Sequence, residues 1–364
     1  MSIQRLRLKN FRNLQDVDFH PTPGLNFLIG KNGSGKTSLL EAIYLLSLVR
    51  SFRSKKLKNL INHSTSSFTV FANFVDTEGQ VYPLGVQRQE FSDETEILLR
   101  GQRPGSIAEL TAQLPVQLIN PDAFRLLEGG PKDRRQFIDW GVFHVEPSFI
   151  FVWQRFQRAL KQRNSLLRRG RMDPLQLQLW EKEIALYGEE VTTYREGYLE
   201  ELRPIFAHLL ARLSDIQDFR LSFQRGWDKN LPLLDNLRAG REKDLDQGFT
   251  QSGPQRADLR VTIEGRAAIE VLSRGQQKLV VSALKLAQGE LLAKKTGKRC
   301  IYLIDDLPAE LDEEHRQVFC KVLEEQASQV FITSVDEAAL KVDWKEPEQN
   351  LWFHVEQGQI RPLS

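Results

Sequence analysis

One stretch limits what this chain can become more than any other. It reads Phe27-Leu28-Ile29-Gly30-Lys31-Asn32-Gly33-Ser34-Gly35-Lys36-Thr37. An apolar run ends at Gly30, four residues intervene, and Gly35-Lys36-Thr37 follows, which is the spacing of a phosphate-binding P-loop. Leu40, Ile43 and Tyr44 then recur at helical steps. The motif therefore lies between a buried strand and a helix N-terminus. The glycines let the backbone approach a ligand with no Cβ in the way. The loop from Gly30 through Lys31, Asn32, Gly33, Ser34 and Gly35 offers its N–H groups to phosphates, helped by the helix dipole. Lys36 is placed to reach the β- and γ-phosphates and Thr37 to hold Mg²⁺ through its hydroxyl. The ligand expected is a nucleoside triphosphate with Mg²⁺.

The rest of the composition narrows the class. Hydrophobic residues make up 41% and charged residues 27% of 364, an ordinary globular balance. The formal net charge is +2, so a nucleic-acid surface must come from local clustering. Cys300 and Cys320 are the only cysteines, too few for a disulfide scaffold, and a reduced cytoplasmic setting is expected. Met1 to Arg7 has no apolar leader and no run is long enough to cross a bilayer, so no membrane partner is expected.

In chain order, Ile3 to Leu8 and Asp16 to Phe19 read as paired strands. Arg12, just upstream of the P-loop strand, is a candidate to reach a phosphate from the side, with a plain surface arginine as the equal alternative. After the P-loop helix, Arg50 to Lys58 carries five basic residues, among them Arg53, Lys55 and Lys56. A solvated loop and a phosphate-backbone contact both fit that run. Phe68–Phe74, Val81–Gln87 and Thr95–Arg100 alternate as strands of a small antiparallel sheet. Pro115 to Asp122 reads as a buried strand, and a helix restarts after Gly129-Gly130-Pro131.

The middle of the chain changes character. Phe149, Trp153, Phe156, Leu160 and Leu167 share one helical stripe. Arg155, Arg158, Lys161, Arg168 and Arg169 wind mostly onto the other side, and no acidic residue occurs between Glu146 and Asp173. These five are candidate DNA contacts. A turn at Gly170 to Pro174 leads to Trp180, Ile184, Tyr187, Val191, Tyr194 and Tyr198, stepping by four and three. A short antiparallel arm over residues 149–213 is expected, with a packed helical layer as the other reading of the aromatic seam. Pro204 is expected to kink or end its helix. Residues 228–251 read as a loop, and Leu259–Ile263 as a strand.

A second constellation lies late in the chain. Ser273-Arg274-Gly275-Gln276-Gln277 opens an apolar helix with Ser273 at its cap position. Cys300 to Ile304 is an apolar strand ending in Asp305-Asp306. Asp305 is placed to hold Mg²⁺, and Asp306 to orient or deprotonate the attacking water. Val330 to Ser334 is a further buried strand. A P-loop first, Ser-x-Gly-Gln-Gln late and paired carboxylates just after resembles the ABC-type ATPases. In these, the serine motif of one subunit completes the nucleotide site of another. The long helical insertion and the opening Lys9-Asn10-Phe11-Arg12 resemble their SMC-related branch. Leu118-Ile119-Asn120-Pro121, Gly129 to Arg135, Asp139-Trp140-Gly141, Gly253-Pro254 through Leu259, Ser273 to Lys278 and Asp305 to Asp312 together resemble the bacterial RecF family, nearly end to end.

That resemblance implies an α/β fold: an ABC-type ATPase lobe of residues 1–125 and 255–364, interrupted by a mainly helical lobe of residues 126–254. It implies an ATP-dependent DNA-binding protein of recombinational gap repair, dimerising on ATP. Such a protein acts on single-stranded or double-stranded DNA or their junction, works with RecO and RecR in loading RecA, and supports replication restart and the SOS response. Lys36, Asp306 and Ser273 would be catalytic, with Ser273, Gly275 and Gln276 on the nucleotide of a two-fold mate. Gln255 stands where the family has a histidine, which puts any role of that imidazole in doubt. Thr333-Ser334 and Asp306 replace the histidine and glutamate of transporter ATPases, which fits slow hydrolysis. The alternative is the ATPase subunit of an ABC transporter, which leaves the basic helix unexplained. A small-molecule kinase needs no Ser-x-Gly-Gln-Gln. A third rival is a clamp that binds ATP without hydrolysing it, against which the paired Asp305-Asp306 argues.

Overall fold

The computed structural model describes residues 1–364 except 93, 170–172 and 364. The chain forms two compact units. One holds Met1–Ala123, Arg212–Asp215 and Arg274–Ser364, the other Phe124–Ala211 and Ile216–Ser273.

The first unit is built on two sheets. Leu25–Ile29, Ile301–Ile304 and Val330–Ser334 are apolar runs buried at every residue, the pattern of central parallel strands covered on both faces. They lie in a six-stranded sheet ordered Gln359–Pro362, Leu351–Glu356, Leu25–Ile29, Val330–Ser334, Ile301–Ile304, Val116–Ile119. Only the Gln359–Pro362 edge runs antiparallel. The register pairs Ile29 with Ser334 and Ile332 with Ile304. The carboxyl ends of the three core strands therefore finish side by side, the edge where open α/β sheets bind ligands.

The second sheet is antiparallel and ordered Leu14–Phe19, Ser2–Phe11, Ser67–Val75, Val81–Gln89, Thr95–Leu99. Ser67–Val75 buries every second residue, so one face packs inward. The P-loop helix Lys36–Leu48 is buried almost all round, through Leu39, Leu40, Ala42, Ile43, Leu45 and Leu46. One apolar cluster joins it to both sheets, through Leu6, Leu8 and Val70 on one side and Leu28, Ile301 and Phe331 on the other. A helix with apolar residues on all sides needs such a sandwich.

The second unit is mainly helical: Pro131–Val145, Phe149–Arg169 and Pro174–Leu213, the last leaving the unit at Ala211. The latter two helices run antiparallel, since Phe149 meets Tyr194 while Arg163 meets Glu181. The expected turn between them falls largely at residues 170–172, outside the described residues. The aromatic heptad is buried at alternate positions only. Ile184, Val191 and Tyr198 are buried whereas Trp180, Tyr187 and Tyr194 are partly exposed. The buried face follows Glu181, Ile184, Gly188, Val191, Arg195, Leu199 and Leu202, at steps of three and four that carry buried charged residues as well as apolar ones. Arg195 is bonded by Asp139 at 2.7 and 2.9 Å, and Glu189 accepts the Leu233 N–H at 2.9 Å.

Three expectations need correction. Pro204 does not end its helix, which continues to Leu213. Pro204 is exposed, and so is Glu200, whose carbonyl it leaves without a helical donor, while Leu202, Ile205, Phe206 and Leu209 keep the inner face packed. Residues 228–251 are not a bare loop but contain the short helices Leu233–Ala239 and Arg241–Gln247, which bury Leu233, Leu237 and Asp244. The second unit also continues past residue 254, to Ser273. Asp258–Ile263 pairs with Phe219–Gln224 in a separate three-stranded sheet, and Arg134 grips Asp258 at 2.7 and 3.1 Å.

Candidate functional site

The carboxyl ends of the central strands open into a cavity of about 1070 Å³. It is lined by Asn32, Gly33, Ser34, Gly35, Lys36 and Thr37 from the P-loop, by Asp305, Asp306 and Glu310, and by Arg12, Arg53, Lys58 and Thr333. Gly30 and Lys31 complete the loop beside it and accept bonds from Lys36 Nζ at 2.5 and 3.0 Å. Gly35 has φ +123°, a backbone angle that side-chain-bearing residues rarely adopt, and it turns the loop into the helix.

Asp305 is the pivot. Its Oδ1 accepts Thr37 Oγ1 at 3.0 Å and Thr333 Oγ1 at 2.9 Å. Burial raises its pKa, opposed by the hydrogen bonds of Thr333 and Thr37, while neighbouring Asp306 adds to the rise. Asp306 follows at φ +56°, an uncommon left-handed angle for a residue with a side chain, and its N–H donates to Thr333 Oγ1 at 2.8 Å. Lys36 is pulled below its usual pKa by burial and held up by Asp306 and Asp305. The arrangement can thus present one ammonium, two carboxylates and a hydroxyl to a polyanion and its cation.

The residues fit ATP and Mg²⁺ on further grounds. Ser34 Oγ is buried in the loop without a hydrogen-bond partner among the described residues, as a group reserved for a ligand would be. A hydroxyl and a carboxylate oxygen 3.0 Å apart are the hard oxygen donors that Mg²⁺ prefers.

Arg12 lines the cavity, yet its guanidinium is held at two points by the buried Glu41, at 2.9 Å each, and donates to Asn59 O at 2.9 Å. It is a fixed positive charge and not a freely swinging side chain. Arg53 also borders the cavity, 3.7 Å from Glu41, while Lys55 and Lys56 are exposed. Ser273, Gly275 and Gln276 are exposed at the start of the helix Arg274–Thr296 and are not among the cavity lining. Arg155, Arg158, Lys161, Arg168 and Arg169 are all exposed on Phe149–Arg169, and the Arg155 guanidinium lies 5.1 Å from the centre of the exposed Phe151 ring.

Two contributors went unread in the sequence. Glu310 is buried at the cavity wall with its Oε2 3.2 Å from Lys278 Nζ, and burial raises its pKa against the pull of Lys278. Its signal was the four-residue step from Asp306 along the short helix Leu307–Glu310. Asn13 touches the P-loop itself and carries no signal beyond its place beside Arg12. No helix among the described residues is long and apolar enough to cross a membrane.

Comparison with known proteins places this geometry. The RecF/RecN/SMC N-terminal domain family matches residues 2–351. The DNA replication and repair protein RecF of Pseudomonas aeruginosa (strain LESB58) is 50% identical over 360 residues, covering 99% of this chain and 97% of that one. Its namesake from Azotobacter vinelandii is 51% identical over 360 residues, covering 99% and 98%. A solved structure of the recombination mediator protein RecF with ATP, described as part of the RecFOR pathway, aligns with a TM-score of 0.86 at 26% identity, covering 100% of this chain and 97% of that one. An Smc head bound to the C-winged helix domain of ScpA aligns at 0.60 with 15% identity over 100% and 98%, a likeness of fold alone. A half-identical sequence over nearly its whole length, on this fold and around this cavity, means that the chain belongs to the RecF branch of the RecF/RecN/SMC family.

Proposed function

We propose that this protein is an ATP-dependent DNA-binding protein of recombinational gap repair, a slow ATPase whose ATP-bound dimer holds DNA. The observation that carries the reading is the convergence of the Thr37 and Thr333 hydroxyls on Asp305 at the mouth of the P-loop. The kinship with proteins named for DNA replication and repair supports it. In this reading it acts in the cytoplasm with RecO and RecR to load RecA, supporting replication restart and the SOS response. It takes single-stranded or double-stranded DNA or their junction.

Lys36 leaves the Gly30 and Lys31 carbonyls to meet the β- and γ-phosphates. Thr37 and Asp305 would hold Mg²⁺, which would spread the negative charge of the phosphate oxygens. Asp306 orients the attacking water from a left-handed backbone position at the cavity wall. Ser273, Gly275 and Gln276 cover the γ-phosphate held by a two-fold mate, an isologous contact that makes two sites at once. The exposed cations of Phe149–Arg169, with Arg53, Lys55 and Lys56 as a second surface, meet the DNA backbone.

Asp306→Asn tests the division between binding and hydrolysis. Turnover is expected to fall by roughly 100-fold or more, the usual scale of a lost general base. ATP affinity should stay near wild type and the ATP-dependent DNA complex should persist. Turnover equal to wild type would remove Asp306 from the mechanism.

A further inference from the structure

The P-loop is braced by two segments distant from it in sequence, the first of which, at Asn13, also lines the cavity. Asn13 sits in the turn between Ser2–Phe11 and Leu14–Phe19. Its Oδ1 accepts Ser38 Oγ at 2.8 Å and its Nδ2 donates to Gly33 O at 3.0 Å. One side chain thus ties the tip of the loop to the first turn of its helix. The second brace is the hairpin of Leu351–Glu356 and Gln359–Pro362. Its two turn residues, Gln357 and Gly358, have φ +48° and +79°, the two-residue turn that matches strand twist. The Gly358 N–H donates to Ser34 O at 2.9 Å. A Cβ on Gly358 would lie 2.3 Å from Asn13 O, and a Cβ on Gly30 would lie 2.1 Å from Val355 O. The hairpin, Asn13 and the loop therefore press on one another with no room for an added methyl.

We infer that Asn13 and the Gln357–Gly358 turn are positioning residues of the nucleotide site, holding the P-loop in its phosphate-accepting curve before the ligand arrives. The inference rests on reading the cavity as a nucleoside triphosphate site. A trans peptide points its C=O and its N–H in opposite directions. Tying the Ser34 carbonyl to the hairpin turns the Gly35 N–H the opposite way, toward the ligand side, while the Gly33 bond fixes the peptide whose Ser34 N–H closes the loop on Lys31 O at 3.2 Å. A loop set in that form loses less freedom on binding, so its rigidity appears as affinity.

The protein contains its own control. Gly265 closes the hairpin of Asp258–Ile263 and Arg266–Ala267 with Glu264 at φ +48° and Gly265 at +80°, the same turn. Nothing lies within 4 Å of where its Cβ would be. Gly358→Ala and Gly265→Ala thus carry matching backbone strain, and only the first pushes on Asn13. Equilibrium titration with ATP, beside thermal unfolding of each protein, is expected to show affinity at least roughly tenfold weaker for Gly358→Ala, about 1.4 kcal/mol. Gly265→Ala should lose stability and keep wild-type affinity. Asn13→Ala leaves the backbone alone and should also weaken ATP, and it decides the matter if Gly358→Ala does not fold. Asn13→Asp keeps the acceptor for Ser38 but loses the donor to Gly33, so it should not restore affinity. If wild type binds no ATP, the nucleotide reading itself falls. If wild type binds ATP and both Asn13→Ala and a folded Gly358→Ala bind it equally well, this inference alone is overturned.

Discussion

Asp305 carries two burdens that pull in opposite directions. Burial disfavours its charge, and the Thr37 and Thr333 hydroxyls favour it, with burial the larger. Its pKa in the folded protein therefore lies above that in the unfolded chain. For a carboxyl group this sign means a destabilisation that is absent at low pH. It grows as pH rises through the ordinary carboxylate range and is complete above the raised value. Asp305→Asn removes it. Calorimetry of the nucleotide-free protein should find Asp305→Asn melting higher than wild type at neutral pH. The gap should close as the pH falls through the raised pKa of Asp305. The same variant should lose Mg²⁺-dependent ATP binding. A lower melting temperature at neutral pH would mean that the two hydroxyl bonds outweigh burial. At this scale the P-loop and the strand-end carboxylates were legible because each is a local pattern. The commitment of Arg12 to Glu41 was not, since a partner 29 positions away leaves no local trace.

The helix Phe149–Arg169 shows what periodicity can and cannot tell. Its apolar stripe jumps from Leu160 to Leu167, and the missing step is Arg163. That arginine is fully buried, bonded to Asp244 at 2.6 Å, Thr250 at 2.8 Å and Glu181 at 3.1 Å. It belongs to the inner face and not to the basic one, a distinction readable from helical phase and hidden by residue type. Arg163→Ala should destabilise the protein by roughly 3–5 kcal/mol, because two buried carboxylates lose a partner. The urea midpoint measures this, and a loss under about 1 kcal/mol would mean that Arg241, also bound to Glu181, suffices alone. The exposed cations behave differently. Changing Arg155, Arg158 and Lys161 to Gln should leave stability nearly unchanged and weaken DNA binding alike for all sequences. Each lost phosphate contact should flatten the salt slope by about 0.9 on duplex DNA. An unchanged slope would move the DNA surface to Arg53, Lys55 and Lys56. The short helices near residues 233–247 escaped the reading because they expose mostly charge and bury little.

At the scale of the molecule, the chain leaves its P-loop unit after Ala123 and returns for good at Arg274, with Ser273 the last residue before that return. The existence of an interruption was legible from the change in composition. Its second boundary was not, because Leu259–Ile263 reads as a strand whichever sheet it joins. Ser273 is exposed and directly precedes the Arg274–Thr296 helix, and the proposed dimer engages it there. The central claim is that ATP closes a two-fold dimer through this serine, and that DNA is held only while ATP is intact. Light scattering of wild type and Ser273→Arg, at matched concentration with and without ATP, tests it most directly. The wild-type mass should double on adding ATP, and Ser273→Arg should bind ATP yet stay at the mass of one chain. A Ser273→Arg protein that still doubles in mass with ATP and hydrolyses it at the wild-type rate would contradict the claim.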